Sequence, residues 1–371
     1  MLRTFVSFDS STINFDTLQQ IYSTNNQLQQ VEQNLCIFEF DAITFTHVLM
    51  LLGQNQDRFG YNLFLYINTV VPLFNGSSIS INGFIIIGQG SSDFKKRLSE
   101  DLGVAISSLL MNQSFNIRWE TISQIPQNRK LSKKTPDFLG FDINDERYIY
   151  ESKGTTQPQN VEIAMTKALE QSKAYPEPAR GKFAIVSYFP TGDKSMPPFT
   201  FIADPPISNI FLPEKDNSIL LHYTCVLSFV GLDTTLRAYE TLLAEKFRLD
   251  RQDYQERVLE RFPRNLGLQR FLDPLIQTFE QERLTKETIT WENRTYIGRY
   301  LEVPDGRTRL FMGVHLETIE QIIRLDTNIQ EIQNTRVREG EEEISIFSDG
   351  TILKLQTPDA DNKLFPTKWT K

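Results

Sequence analysis

Two carboxylates and a lysine lie close together in one segment of the chain, between residues 135 and 154. Asp137 follows directly after Pro136, a polar turn comes next, and Glu151 and Lys153 then occupy alternate positions of an aromatic, apolar run. Because alternate residues of a strand point to the same face, Glu151 and Lys153 are predicted to share one face. The Asn- and Asp-rich turn predicts a β-hairpin that brings Asp137 to the same place.

Such a hairpin can serve two purposes. With a loop of two or three residues, Asp137 is predicted to lie across from Ser152 or Lys153, about 5 Å away. The three charges then form either a surface salt bridge, worth at most about 1 kcal/mol, or a cation site. The apolar neighbours favour the cation site, because an unpaired carboxylate on a half-buried strand is costly. Oxygen atoms of Asp137, Glu151 and the Ser152 carbonyl are the ligands that Mg²⁺ or Mn²⁺ prefers.

These residues resemble the signature of the PD-(D/E)xK nucleases, the restriction-endonuclease-like superfamily. Pro136 and Asp137 match the PD, and Glu151, Ser152 and Lys153 match the ExK. The resemblance implies that the acidic pair binds a metal ion, Mg²⁺ or Mn²⁺. It also implies that the lysine orients or deprotonates the attacking water and stabilises the charged transition state. The resemblance extends over roughly residues 92 to 190, and it indicates no family for either flank.

Two further elements of this superfamily have counterparts in the chain. The preceding helix carries Glu100, or as an alternative Asp101, where the family often supplies another acidic metal ligand. The following helix carries Gln171 and Tyr175, which resemble the QxxxY element of the RecB and lambda-exonuclease branch. Positions four apart lie on one helical face, so both side chains can reach the same phosphate or ligand shell. The alternative interpretations are a solvated Glu100 and an ordinary surface helix that ends before Pro176.

A basic stretch directly precedes the predicted hairpin. Four of its side chains are cations: Arg129, Lys130, Lys133 and Lys134. They are predicted to contact the phosphate backbone of a nucleic acid beside the scissile bond. The alternative is a solvated loop. The net charge of −8 and the pI near 5.2 argue against a protein that coats nucleic acid along its whole surface, but they allow a local basic groove.

Other catalytic chemistries have little support in the sequence. The three histidines, His47, His222 and His315, are too far apart for a motif such as HExxH, and each is predicted to be a core or surface residue. No GxSxG nucleophile elbow is present. The two cysteines are distant in sequence, which excludes a disulfide framework and fits a reducing compartment. With no signal-peptide core and no membrane-spanning run, the chain is expected to be cytoplasmic.

The elements around these residues define the expected architecture. Apolar residues recur at helical spacing from Ser92 for about five turns; a strand at FNIRWETIS, the hairpin, a helix near 162–174 and the strand KFAIVSYF follow. This order predicts an α/β core with a mixed sheet, which the resemblance identifies as restriction-endonuclease-like. Three domains are expected: a mixed, strand-rich domain at 1–90, the nuclease-like domain at 91–232, and a helical, then β-hairpin accessory domain at 233–371.

The sequence thus favours a metal-dependent nuclease that hydrolyses DNA, a function that in this superfamily serves restriction, antiphage defence or repair. Asp137, Glu151, Lys153 and Glu100 are the expected catalytic residues. The flanking domains are expected to select the substrate, to bind a partner subunit or to mediate homo-oligomerisation. One alternative is a catalytically inactive nucleic-acid-binding or scaffold subunit of a larger complex. The other is a structural protein whose carboxylates are surface charges and bind no metal.

Overall fold

A computed structural model gives the architecture of the chain. It describes residues 2–8, 35–53, 84–87, 91–125, 136–174, 179–191, 197–203, 215–247, 269–302, 309–330, 332–339 and 342–356. These residues form two β-sheets, with helices packed on the sheets and between them. The largest hydrophobic cluster contains side chains from both sheets, so one continuous core joins them.

The first sheet is mixed and has seven strands. They are β1 (Leu2–Phe8), β2 (Leu35–Phe40), β3 (Ser123–Gln124), β4 (Phe138–Phe141), β5 (Arg147–Thr155), β6 (Gly181–Tyr188) and β7 (Phe199–Ala203). Their order across the sheet is β2-β1-β7-β6-β5-β4-β3. The pairs β1/β7 and β5/β6 are parallel, and the other neighbouring pairs are antiparallel. The predicted mixed α/β architecture is therefore confirmed.

Seven α-helices accompany the strands among the described residues. They are α1 (Ala42–Leu52), α2 (Ser92–Phe115), α3 (Val161–Ala174), α4 (Lys215–Val230), α5 (Asp233–Phe247), α6 (Gln269–Arg283) and α7 (Leu316–Ile323). Helix α3 connects the parallel strands β5 and β6 and packs on both of them. Helix α2 packs against β5 from the opposite face, where its serines bond side chains of that strand. The sheet is thus covered on both faces at β5, the strand of the candidate site.

The second sheet is antiparallel and follows the helical segment. Its strands are β8 (Glu287–Trp291), β9 (Arg294–Glu302), β10 (Arg309–His315), β11 (Thr335–Glu339), β12 (Glu342–Ile346) and β13 (Thr351–Gln356), in the order β11-β12-β13-β10-β9-β8. The sequence predicted helices followed by β-hairpins in this region, and the described elements follow that order. Helix α4 contacts β3 of the first sheet and β10 of the second.

Two expectations about the elements differ from the structure. Strands β1 and β2 belong to the same sheet as β3 to β7, so the expected boundary at residue 90 does not separate two sheets. The segment FNIRWETIS was predicted to be a strand, but its centre forms a 3₁₀ turn at Trp119–Thr121. The turn is closed by the Thr121 hydroxyl, which donates to the Arg118 carbonyl at 2.8 Å. A local side-chain bond of this kind competes with strand formation.

A buried histidine–aspartate contact joins the two sheets through α4. His222 Nε2 lies 2.8 Å from Asp349 Oδ2, and His222 Nδ1 lies 2.6 Å from the carbonyl oxygen of Ile122. Both side chains are completely buried. Burial raises the pKa of Asp349, but the hydrogen bonds from His222 and Thr351 outweigh burial, and the net shift of this pKa is downward.

Candidate active site

The hairpin that carries the predicted site is formed by β4 and β5, and its turn is closed by one aspartate. The N–H of Asp142 donates to the carbonyl of Glu146 at 3.0 Å, and its carboxylate accepts from the N–H of Asn144 at 2.8 Å. Asp145 has a left-handed backbone, with a φ of 60°, which aspartate tolerates better than most residues. Three residues thus make the loop, which sets the register of the two strands.

The register of the hairpin brings the two carboxylates face to face. Extended by one residue beyond the paired strands, the ladder of β4 and β5 places Asp137 opposite Glu151. The prediction had placed Asp137 across from Ser152 or Lys153, and this was wrong. The observed register brings the acidic pair closer than expected, since residues directly opposite have Cβ atoms about 5 Å apart.

Pro136 ends this ladder beside Ser152. The same register would place Pro136 opposite Ser152, and proline has no N–H to donate to the Ser152 carbonyl. The N–H of Ser152 instead donates to Asp137 Oδ2 at 3.2 Å. In an extended strand the N–H and C=O of one residue point to the same side, so the Ser152 carbonyl also points toward Asp137. Pro136 therefore helps to leave a carbonyl oxygen beside the two carboxylates.

The three predicted charges converge on one face of β5. Lys153 Nζ contacts Glu151 Oε1 and lies 4.0 Å from Asp137 Oδ2. The Glu151 side chain is completely buried, whereas those of Asp137 and Lys153 are 30% and 31% exposed. A surface salt bridge leaves both partners largely in water. The burial of Glu151 is therefore a reason to interpret the cluster as a site and not as surface charge.

Burial and the charges of neighbouring groups shift the pKa values of all three groups. Burial, together with the negative charge of Asp137, raises the pKa of Glu151 to about 8. Burial also raises the pKa of Asp137, against the lowering effect of Lys153. Burial lowers the pKa of Lys153, but the two carboxylates outweigh it, and the net shift is upward. Lys153 is therefore an ammonium at neutral pH. Its single positive charge faces two carboxyl groups.

The donor set fits a hard divalent cation. The Glu151 carboxylate is completely buried, with only the Lys153 ammonium and the negative charge of Asp137 close to it; a bound cation would offset the cost of this burial. The carboxylates of Asp137 and Glu151 and the Ser152 carbonyl are all oxygen ligands, which Mg²⁺ and Mn²⁺ prefer. Within the described ranges, however, no three His, Cys, Asp or Glu side chains are grouped closely enough to hold an ion. The described residues at this point thus offer two carboxylates to an ion.

Glu100 lies near this pair but is not a ready third ligand. It is exposed on α2, and its neighbour Asp101 is half-buried. The charge of Glu100 nevertheless acts on Lys153, because it is one of the groups that raise the pKa of that lysine. The structure therefore places Glu100 within electrostatic range of the site and outside its immediate contacts.

The remaining predicted residues divide into one that is described and five that are not. Gln171 is 7% exposed and lies on α3, which packs on β5 and β6. The surface-helix alternative is therefore wrong for Gln171, which is turned into the fold. Its predicted companion Tyr175 lies outside the described residues, as does the basic stretch with Arg129, Lys130, Lys133 and Lys134.

One buried lysine on the same face of the sheet was not predicted. Lys182 is 3% exposed and pairs in parallel register with Ile149, while Glu151 pairs with Ala184. Alternation therefore puts Lys182 on the face of Glu151, one strand away. The available signal was a lysine that opens the strongly apolar strand KFAIVSYF, because a fully buried lysine is rare.

The described helices and the comparisons with known proteins concern the chain as a whole. None of the described helices combines the length and the apolar character needed to cross a bilayer. Comparison of the chain with family models, with curated proteins and with solved structures gives no match.

Proposed function

We propose that this chain is a metal-dependent nuclease that hydrolyses the phosphodiester backbone of DNA, with Mg²⁺ or Mn²⁺ as its cofactor. The observation that carries the proposal is the convergence of Asp137, Glu151 and Lys153 at the end of one hairpin, with Glu151 fully buried. A mixed sheet in which this hairpin leads through α3 into a parallel strand also supports a restriction-endonuclease-like core.

Each residue of the site has a distinct role in this proposal. Asp137, Glu151 and the Ser152 carbonyl hold the cation. A divalent ion bound there would lower the pKa of a bound water and stabilise charge that develops on the phosphate. Lys153, an ammonium with a raised pKa, leaves Glu151 and donates hydrogen bonds to the attacking water or to a phosphate oxygen. It therefore orients and stabilises, and it does not act as the base.

The surrounding residues would handle the substrate. Glu100 adds negative charge from α2 and would favour the binding of a cation beside Asp137 and Glu151. Gln171, together with Tyr175, positions the strand that is cut. The basic residues 129–134 contact the DNA backbone. Restriction, antiphage defence and repair are the biological roles that fit this chemistry.

A cleavage assay tests the proposal. The wild-type protein is incubated with linear, circular and single-stranded DNA in Mg²⁺, beside an EDTA control and the Asp137→Asn variant, which keeps the size of the side chain but removes its charge. We expect the wild type to cut at least one substrate, and EDTA or Asp137→Asn to stop the cutting. Binding of DNA without cleavage in both Mg²⁺ and Mn²⁺ would instead support an inactive nucleic-acid-binding subunit, and cleavage by Asp137→Asn at the wild-type rate would contradict the assigned site.

A further inference from the structure

Helix α2 meets the site strand through small residues four positions apart. Ser99, Gly103 and Ser107 share one face of the helix. The hydroxyl of Ser107 donates to the hydroxyl of Ser152 at 3.0 Å, and a Cβ added at Gly103 would lie 3.0 Å from the backbone nitrogen of Gly154. The helix and the strand are therefore in contact backbone to backbone just beyond the candidate lysine.

Gly154 is the tightest point of this contact. A Cβ at this position would lie far closer than 3.0 Å to the carbonyl group of Ser99. The overlapping atoms belong to the helix backbone and cannot rotate away as a side chain can. Any larger residue at 154 must therefore displace α2 from β5, whereas alanine at Gly103, with its nearest contact at 3.0 Å, requires a smaller displacement.

The close contact brings the backbone of Glu100 near the site, since a Cβ at Gly154 would lie 2.8 Å from the backbone nitrogen of Glu100. Glu100 follows Ser99 directly, and Lys153 precedes Gly154, so the two charged residues flank the point where the backbones meet. The charge of Glu100 contributes to raising the pKa of Lys153. In the same site the Glu151 side chain is completely buried beside the negative charge of Asp137. An acidic group held at this point adds to the attraction for a cation that binds there.

We propose that Gly154 and Gly103 are positioning residues, which hold α2 so close to β5 that Glu100 contributes its charge to cation binding at Asp137 and Glu151. This inference rests on the proposed function, because it assumes that the carboxylate pair binds a divalent ion. Two glycines outside the acidic motif would thus determine how close the charge of Glu100 lies to the cation site.

A double-mutant cycle tests the proposal through Mn²⁺ affinity, measured by titration calorimetry. The four proteins are wild type, Glu100→Gln, Gly154→Ala and the double variant. Glu100→Gln should weaken Mn²⁺ binding to the wild type by about threefold to tenfold, as expected for a charge removed near a partly solvated site. In the Gly154→Ala background, where α2 is displaced, the same change should weaken Mn²⁺ binding by less than about twofold.

Two further variants separate positioning from a general loss of stability. Leu109 also lies on α2 and is fully buried. The Leu109→Ala substitution removes volume from the core and inserts nothing between the helix and the strand. It should destabilise the fold and leave the effect of Glu100→Gln unchanged. If Gly154→Ala does not fold, Gly103→Ala replaces it, and the effect of Glu100→Gln should then fall partway.

Two results would overturn the positioning role. One is an equal weakening by Glu100→Gln in the wild-type and glycine-variant backgrounds. The other is no weakening at all in a wild-type protein that binds Mn²⁺, which would leave the site of Asp137 and Glu151 intact. Absence of Mn²⁺ binding by the wild type is a different outcome, because it overturns the proposed function together with the inference.

Discussion

Lys153→Met is expected to reduce DNA cleavage by about 10²- to 10³-fold or more, the usual cost of removing a donor that stabilises transition-state charge. The same change should strengthen Mn²⁺ binding. In the metal-free site the Lys153 ammonium contacts Glu151 and lies 4.0 Å from Asp137, which is where a cation shared by both carboxylates must bind. The ammonium therefore competes with the metal, and its removal eliminates this competitor.

Cleavage rates and Mn²⁺ calorimetry on the same preparation measure both effects. The matched control is Lys167→Met, which removes the same charge from an exposed position on α3 and should change neither quantity appreciably. A Lys153→Met variant that cleaves at nearly the wild-type rate would remove Lys153 from the catalytic residues. Weaker Mn²⁺ binding in this variant would show that the lysine supports the metal site and does not compete with it.

Glu151→Gln should make the metal-free protein more stable at neutral pH. Burial and the nearby Asp137 raise the pKa of Glu151 from an ordinary value of 4.5 to about 8, so the folded state binds this proton more tightly than the unfolded state. Stability from this group is fully present below pH 4.5 and is lost as the pH rises toward 8. At pH 7 the variant, which resembles the protonated acid, should gain roughly 3 kcal/mol in the free energy of unfolding.

Urea denaturation in EDTA at several pH values between 4 and 9 measures this gain. The wild-type free energy of unfolding should decline across this range relative to that of Glu151→Gln, and the two should converge at the acidic end. Glu170→Gln, a change at an exposed residue of α3, serves as the control and should follow the wild type. Parallel wild-type and Glu151→Gln curves would mean that Glu151 is ionised without penalty in the fold.

Local patterns in the sequence were sufficient for the elements nearest the site. The hairpin follows from a polar turn between two aromatic runs, and α3 and β6 follow from helical and apolar periodicity. The convergence of Asp137, Glu151 and Lys153 needs only alternation along β5 and a short turn, so it was predictable. The exact register of β4 against β5 was not predictable. The left-handed conformation of Asp145 determines the loop, and several loop lengths are compatible with the same turn sequence.

These local patterns do not predict which distant segments pack together. The pairing of β1 with β7 joins residues almost 200 positions apart, and no local period encodes such a partner. His222 was predicted to be an ordinary core or surface histidine, yet its ring bonds Asp349, 127 positions away. The contact of Gly154 with Ser99 likewise depends on how α2 approaches β5. A glycine that follows the lysine in sequence does not by itself indicate that a helix packs against it.

Thermal melts of the wild type and of Asp137→Asn, with EDTA and with saturating Mn²⁺, show whether Asp137 and Glu151 together bind a divalent cation. A ligand at 100 times its Kd stabilises the fold by about 2.7 kcal/mol, so Mn²⁺ should raise the wild-type melting temperature. Asp137→Asn should melt higher than the wild type in EDTA, because the repulsion with Glu151 is relieved, and it should respond less to Mn²⁺. Equal Mn²⁺-induced shifts in the two proteins would remove Asp137 from the site and contradict the nuclease assignment.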